Sequence, residues 1–293
     1  MVFIKINKLH SILYLKLIKG VRLMGMNMIV YQIVNEFKRL DEVVAITLAG
    51  SCASGRKDNY SDIDIDIITE KDIPIEKREL IGKKFSDLME INNTFWGTSD
   101  EFRLRNSSIQ VDIAYFEFSW LKNQLENVVG KYNASIGYTT CFWNNVINSL
   151  IVFDRYNEFK DLQEKYTVDY PDKLKQNIVN KNYPILKKNF SAYYNQIEKA
   201  INRKDLVNLN NRISAFFDSY FDIIFAVNEI PHPGEKRFLS IVNTSCKKIP
   251  NNLLNNIESL INNINKCNES ILEDINNLVK ELEIILKEEK LIS

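Results

Sequence analysis

The stretch Gly50 to Asp66, GSCASGRKDNYSDIDID, constrains this chain more than any other, because it sets a Gly-Ser turn a short loop ahead of an Asp-Ile-Asp on an apolar strand. Strand side chains alternate sides, so Asp62 and Asp64 are expected on one face while Ile63 and Ile65 pack on the other. Two carboxylates about 4 Å apart at an effective dielectric of roughly 20 repel by on the order of 4 kcal/mol. A bound Mg²⁺ is the natural compensation.

The Gly-Ser half suits phosphate. After the strand-like run Glu42 to Leu48, Ala49-Gly50 lets the backbone turn sharply, and Ser51 can offer its hydroxyl and N–H to a phosphate oxygen. Ser61 stands where it can fix the first carboxylate by a local hydrogen bond. A third acid, Asp112, lies on the apolar-rich run Ser108 to Phe116. If that run is an antiparallel neighbour of the first carboxylate strand, Asp112 sits cross-strand from Asp62 and Asp64. Three carboxylates can then hold two Mg²⁺ ions for an in-line displacement at phosphorus.

Gly50-Ser51, the loop through Tyr60, Ser61-Asp62-Ile63-Asp64 and the later strand with Asp112 together resemble the nucleotidyltransferase superfamily of the polymerase-β-like fold. Within it they are most similar to the small-molecule, aminoglycoside-type enzymes, over roughly residues 29 to 118. The resemblance implies that Asp62 and Asp64 hold both metals, and that Asp112 ligates the catalytic metal or accepts the acceptor hydroxyl's proton. Gly50, Ser51, Arg56 and Ser61 are the candidate nucleotide-binding residues, with a nucleoside triphosphate, ATP by preference, as co-substrate. Asp66 departs from the family's usual apolar residue and leaves a second register open, in which Asp64 and Asp66 are the pair and Asp62 only caps the turn.

With 293 residues the chain has room for two domains. Apolar residues make up 45% and charged residues 26%, as in an ordinary folded protein. Lys plus Arg equals Asp plus Glu at 38 each, so no global basic field draws a long nucleic acid to it. Cys52, Cys141, Cys246 and Cys267 lack paired metal-ligand spacing, and with His10 and His232 the only histidines a zinc site is not expected. The cysteines read as reduced thiols of a cytoplasmic protein, Cys52 as a small filler beside the phosphate turn. Residues 1–27 carry five basic residues and no acid. They are expected to be an extension from an upstream start, with a membrane-surface helix as the alternative. No apolar run is long enough to span a bilayer, and stable membrane association is not expected.

The expected fold is α+β: a small mixed sheet with flanking helices over residues 28–118, connecting helices over 119–154, and an all-α bundle over 155–293. The first part reads as helix, strand, turn, strand, helix, strand, strand, with an amphipathic helix over Pro74 to Glu90 whose apolar face is Leu80, Ile81, Phe85 and Leu88. Glu101 to Arg105 and the Asp112 run form a hairpin. Its Arg103 and Arg105 lie opposite Phe102 and Leu104, bordering the phosphates or facing water. In the second part, helical spacing recurs over Asp205 to Asn228, and the stretch from Pro171 is expected to break near Pro184. The loop NEIPHPGEKR, Asn228 to Arg237, is similar to one in helical C-terminal domains of bacterial nucleotidyltransferase-like proteins. Glu235-Lys236-Arg237 would open the next helix, with Lys236 and Arg237 either binding phosphate or an acidic acceptor group or standing in solvent. The Asn-rich segment Asn251 to Asn277 keeps a regular apolar spacing and reads as surface-polar helices.

The function expected is Mg²⁺-dependent transfer of a nucleoside monophosphate to a hydroxyl of a small acceptor, an antibiotic among the candidates, with release of pyrophosphate. Against it stand a non-catalytic nucleotide sensor, an antitoxin-like partner-binding protein, and nucleotide transfer onto a protein or RNA end.

Overall fold

The computed structural model describes residues 21–49, 62–95 and 97–293, with backbone alone over 21–27. Gly50, Ser51, Cys52, Arg56 and Ser61 lie outside the described residues, as does most of the 1–27 segment. The chain divides into two compact units, Met1–Ser119 with Ser149–Asp161, and Trp120–Asn148 with Leu162–Ser293.

The first unit is a six-stranded mixed sheet with helices. After α1 (Val21–Phe37) come β1 (Val43–Leu48), β2 (Ile63–Thr69), α2 (Ile75–Phe85), β3 (Leu88–Asn93), β4 (Ser99–Arg103) and β5 (Gln110–Glu117), and β6 (Leu150–Asp154) joins later. The order is β3-β4-β5-β2-β1-β6. Among the described strands only β2 and β5 pair in parallel. Alternation explains the core: Ile63, Ile65 and Ile67 are fully buried, and pack in one cluster with Ile33 and Phe37 of α1, Ile81 of α2, and Phe102, Val111 and Ile113. The opposite face of β2 carries Asp64 and Asp66.

Behind the sheet a buried polar network ties α2 to the β3-β4-β5 meander. Arg78 of α2 pairs with Asp100 of β4 at 3.3 Å, both almost fully buried. The Tyr115 hydroxyl donates to Asp100 Oδ2 at 2.6 Å, the Asn92 N–H to Asp100 Oδ1 at 2.8 Å, and Arg78 donates to Asn92 Oδ1 at 2.9 Å. The Arg78 guanidinium lies 4.7 Å from the Tyr115 ring centre.

The sheet corrects several expectations. The Asp112 strand is parallel to β2 rather than antiparallel, because α2 carries the chain back and three strands then alternate in direction. The helix expected to reach Glu90 ends at Phe85, and Leu88 starts β3. Ser86 stops it: extended, its hydroxyl lies 2.7 and 2.6 Å from the Leu88 and Arg103 carbonyls, to one of which it donates, and accepts the Leu88 N–H at 3.0 Å. Leu80, placed on the apolar face, is 64% exposed. The segment read as connecting helices contains β6, too short to stand out from its helical flanks.

The second unit is helical: α3 (Phe118–Leu125) leads into it, followed by α4 (Cys141–Asn148), α5 (Glu158–Tyr166), α6 (Asp172–Lys187), α7 (Tyr193–Arg203), α8 (Leu206–Val227), α9 (Phe238–Ser245), α10 (Leu253–Asn263) and α11 (Ser270–Glu288). Helix α8, capped by Asp205 accepting the Asn208 N–H at 3.1 Å, is central, with Leu209, Ile213, Phe216, Tyr220 and Ile224 buried. It packs against α6 and α7. Helix α6 runs on to Lys187 instead of breaking at Pro184; the proline gives up one N–H donor, while its carbonyl accepts the Lys188 and Asn189 N–H groups at 2.9 and 3.0 Å. The Asn-rich α10 buries Leu253, Ile257 and Leu260, as its spacing requires. Among the described residues no helix is long and apolar enough to cross a membrane.

Candidate active site

The parallel pair builds the site. Its register sets Asp64 of β2 directly beside Asp112 of β5, and paired residues on strands about 4.8 Å apart project to the same face. Both are half-buried, while their neighbours Ile63, Ile65, Val111 and Ile113 fill the core behind them. Just past the end of β1, the Ala49 N–H donates to the Asp64 carbonyl at 3.1 Å. Asp62 stands one residue ahead of β2 and is exposed. Among the described residues no group of three or more His, Cys, Asp or Glu side chains is gathered to hold a metal ion. The pair Asp64 and Asp112 is what the sheet aligns.

The acidic row extends further than sequence reading found. Glu101 of β4 is the register partner of Asp112, and Glu90 of β3 the partner of Glu101. Four acids on four adjacent strands thus share one line. Burial, then the charges of Asp112 and Glu90, push the Glu101 carboxyl above its ordinary range, against the lowering effect of Asn93. Gln110, two residues before Asp112 on the same face, donates its amide to Asp112 Oδ1 at 2.9 Å and to Glu101 Oε2 at 3.4 Å. Asn93 donates to Glu101 Oε1 at 3.3 Å. The alternation Glu101-Phe102-Arg103 marked Glu101 as polar-face, but which rung it occupies is a property of register alone.

Asp66 lies one rung deeper, opposite Thr47 and Ala114. Burial first, then repulsion from Asp64, pushes its carboxyl up to about 7, while a hydrogen bond with Thr47 opposes the rise. Such crowding marks this face as one where a cation is favoured. The oxygen-only donors Asp64 and Asp112 fit a hard divalent ion such as Mg²⁺.

The candidate basic residues divide. Arg103 is exposed on the face of Glu101. Arg105 is engaged elsewhere: it pairs with Asp87 at 2.8 Å and donates to the Lys84 and Lys83 carbonyls at 2.9 and 2.6 Å, capping the end of α2. Lys236 and Arg237 belong to the helical unit and are exposed. They precede α9 rather than opening it, because Arg237 takes a left-handed conformation at φ 64° and Phe238 is the first helical residue. Their loop is anchored by the His232 N–H donating to Thr140 Oγ1 at 2.6 Å and by the His232 ring lying 4.7 Å from that of Tyr138.

Residues 31–115 match the family described as polymerase beta, nucleotidyltransferase. That span contains β1 to β4, α2, both paired acids and nearly all of β5. No curated protein matches the chain. Among solved structures the chain is similar to a nucleotidyltransferase-like protein from Exiguobacterium sibiricum, at 12% identity and TM-score 0.42, covering 90% of this chain and 76% of that one. It is also similar to the CCA-adding enzyme of Thermotoga maritima, solved with tRNA (12%, TM-score 0.30, 94% and 83% covered). A third is spectinomycin adenyltransferase from Enterococcus faecialis, solved with ATP and spectinomycin (12%, TM-score 0.27, 86% and 99% covered). The family match and the mixed sheet support the nucleotidyltransferase superfamily for the first unit; that fold implies a nucleoside triphosphate substrate and usually a divalent metal.

Proposed function

We propose that this chain transfers a nucleoside monophosphate from a nucleoside triphosphate, ATP by preference, to a hydroxyl of a small-molecule acceptor and releases pyrophosphate. The observation that carries the reading is the in-register pairing of Asp64 with Asp112 on the face opposite the isoleucine core, inside the span that matches the family. The acceptor oxygen forms a bond to the α-phosphorus as the bond from that phosphorus to the bridging oxygen of the leaving pyrophosphate breaks. Asp64 and Asp112, with Asp62 beside them, would hold the divalent cations, two in the reading favoured by sequence. Bound there, such ions neutralise the charge of the triphosphate and of the leaving group. Asp112 orients the acceptor hydroxyl and takes its proton. Gly50, Ser51, Arg56 and Ser61 are assigned to the triphosphate, and Arg103 to its rim. Most of the rate enhancement then comes from holding the attacking oxygen in line.

Nucleotide binding without transfer is the competing reading. Pyrophosphate release, measured with each nucleoside triphosphate, Mg²⁺ and a panel of hydroxylated small molecules including aminoglycosides, separates the two. Transfer predicts release with at least one pair, lost by about 100-fold or more in Asp64→Asn and Asp112→Asn, the scale on which single electrostatic groups act on a transition state. Metal-dependent nucleotide binding without release from any pair would leave the second reading.

A further inference from the structure

We infer that Gln110 is a positioning residue for Asp112, and that Glu101 completes the device by holding Gln110 in place. The inference rests on the reading of Asp64 and Asp112 as the cation-binding pair. Register alone would leave Asp112 flanked by two acids, Asp64 on β2 and Glu101 on β4. A carboxylate so placed turns away from its neighbours unless something fixes it. The Gln110 amide lies between Asp112 Oδ1 and Glu101 Oε2, at 2.9 and 3.4 Å. Only its N–H end can face two carboxylates, since a carbonyl there would add a third acceptor. Asn93 steadies the far oxygen of Glu101 at 3.3 Å, so a chain of donors and acceptors runs Asn93, Glu101, Gln110, Asp112 across three strands. Gln110 is half-buried on the same face as Asp112, where its donated hydrogen bond is partly shielded from water. Partners of this kind orient ligands of a metal and tune their basicity.

The test is Mn²⁺ binding in the presence of a non-hydrolysable nucleoside triphosphate analogue, followed by electron paramagnetic resonance, which needs no turnover. Gln110→Met keeps the side chain's length and removes its donor. It is expected to bind Mn²⁺ about 10- to 100-fold more weakly, the usual effect of losing an outer partner of a metal ligand. Adding Glu101→Gln to that variant removes a charge and returns an amide beside Asp112, and is expected to restore most of the affinity. Thermal melting checks that each variant folds. Wild-type affinity in Gln110→Met, or no recovery in a folded double variant, would overturn the inference. Wild-type protein that binds no Mn²⁺, or Asp64→Asn that binds it normally, would instead overturn the underlying assignment of the pair, and the inference with it.

Discussion

At the scale of single residues, two buried groups in the helical unit shift in opposite directions. Asp222 of α8 accepts the Thr139 N–H and hydroxyl at 3.1 and 2.7 Å and an Asn182 amide at 3.3 Å, yet burial outweighs these and pushes its carboxyl up to about 7. Burial alone lowers His232 to about 4. The raised acid favours folding below its ordinary value of 3.8 and loses that benefit as pH climbs to about 7. The depressed histidine favours folding above 6.5 and loses that benefit as pH falls to about 4. Between about 4 and 6.5 the two slopes oppose, each on the order of 3 kcal/mol across the window. Urea unfolding as a function of pH should therefore change oppositely in two variants. Asp222→Asn should lose stability on acidification more steeply than wild type, and His232→Asn, which keeps an acceptor for the Gly234 N–H, should gain it. Identical pH slopes in all three proteins would contradict the assignment.

At the scale of elements, the register of β4 and β5 is what aligns Glu101 with Asp112, and the Arg78, Asp100, Tyr115 network behind the sheet is built to hold it. Asp100→Ala leaves the Arg78 guanidinium buried and unpaired, and should cost about 3–5 kcal/mol in denaturant unfolding. Replacing both members, Arg78→Met with Asp100→Leu, should recover much of that loss. A single variant within about 1 kcal/mol of wild type would show that the network is not holding the strands. The same elements show what was legible beforehand. Period-two alternation put the isoleucines and Asp64 on opposite faces of β2, and three- and four-residue spacing defined α8 to within a residue. The direction of β5 was not legible, because it depends on an even or odd number of reversals after α2, and β3 was hidden inside an apparent helix. Glu101 and Gln110 were missed for the same reason: cross-strand neighbours are set by register, which no local pattern encodes. The Gly50 to Ser61 half of the motif lies outside the described residues and stays a proposal from sequence.

At the scale of the whole molecule, the sheet is closed by chain that returns late. Strand β6 pairs with β1, and Arg155 donates to the Val43, Lys38 and Leu40 carbonyls at 2.9, 3.0 and 2.7 Å. The 28–118 boundary proposed from sequence omits all of this. A fragment ending at Phe118 exposes the β1 edge and should aggregate or unfold without a cooperative transition; a soluble fragment with a sharp urea transition would contradict that. The central claim is that Asp64 and Asp112 form one cation-dependent nucleotide site. Calorimetric titration of a non-hydrolysable nucleoside triphosphate analogue with and without Mg²⁺ tests it most directly. Binding that requires Mg²⁺ in the wild type and weakens at least about tenfold in both Asp64→Asn and Asp112→Asn is the predicted result. Binding indifferent to Mg²⁺, or unchanged in both variants, would contradict it.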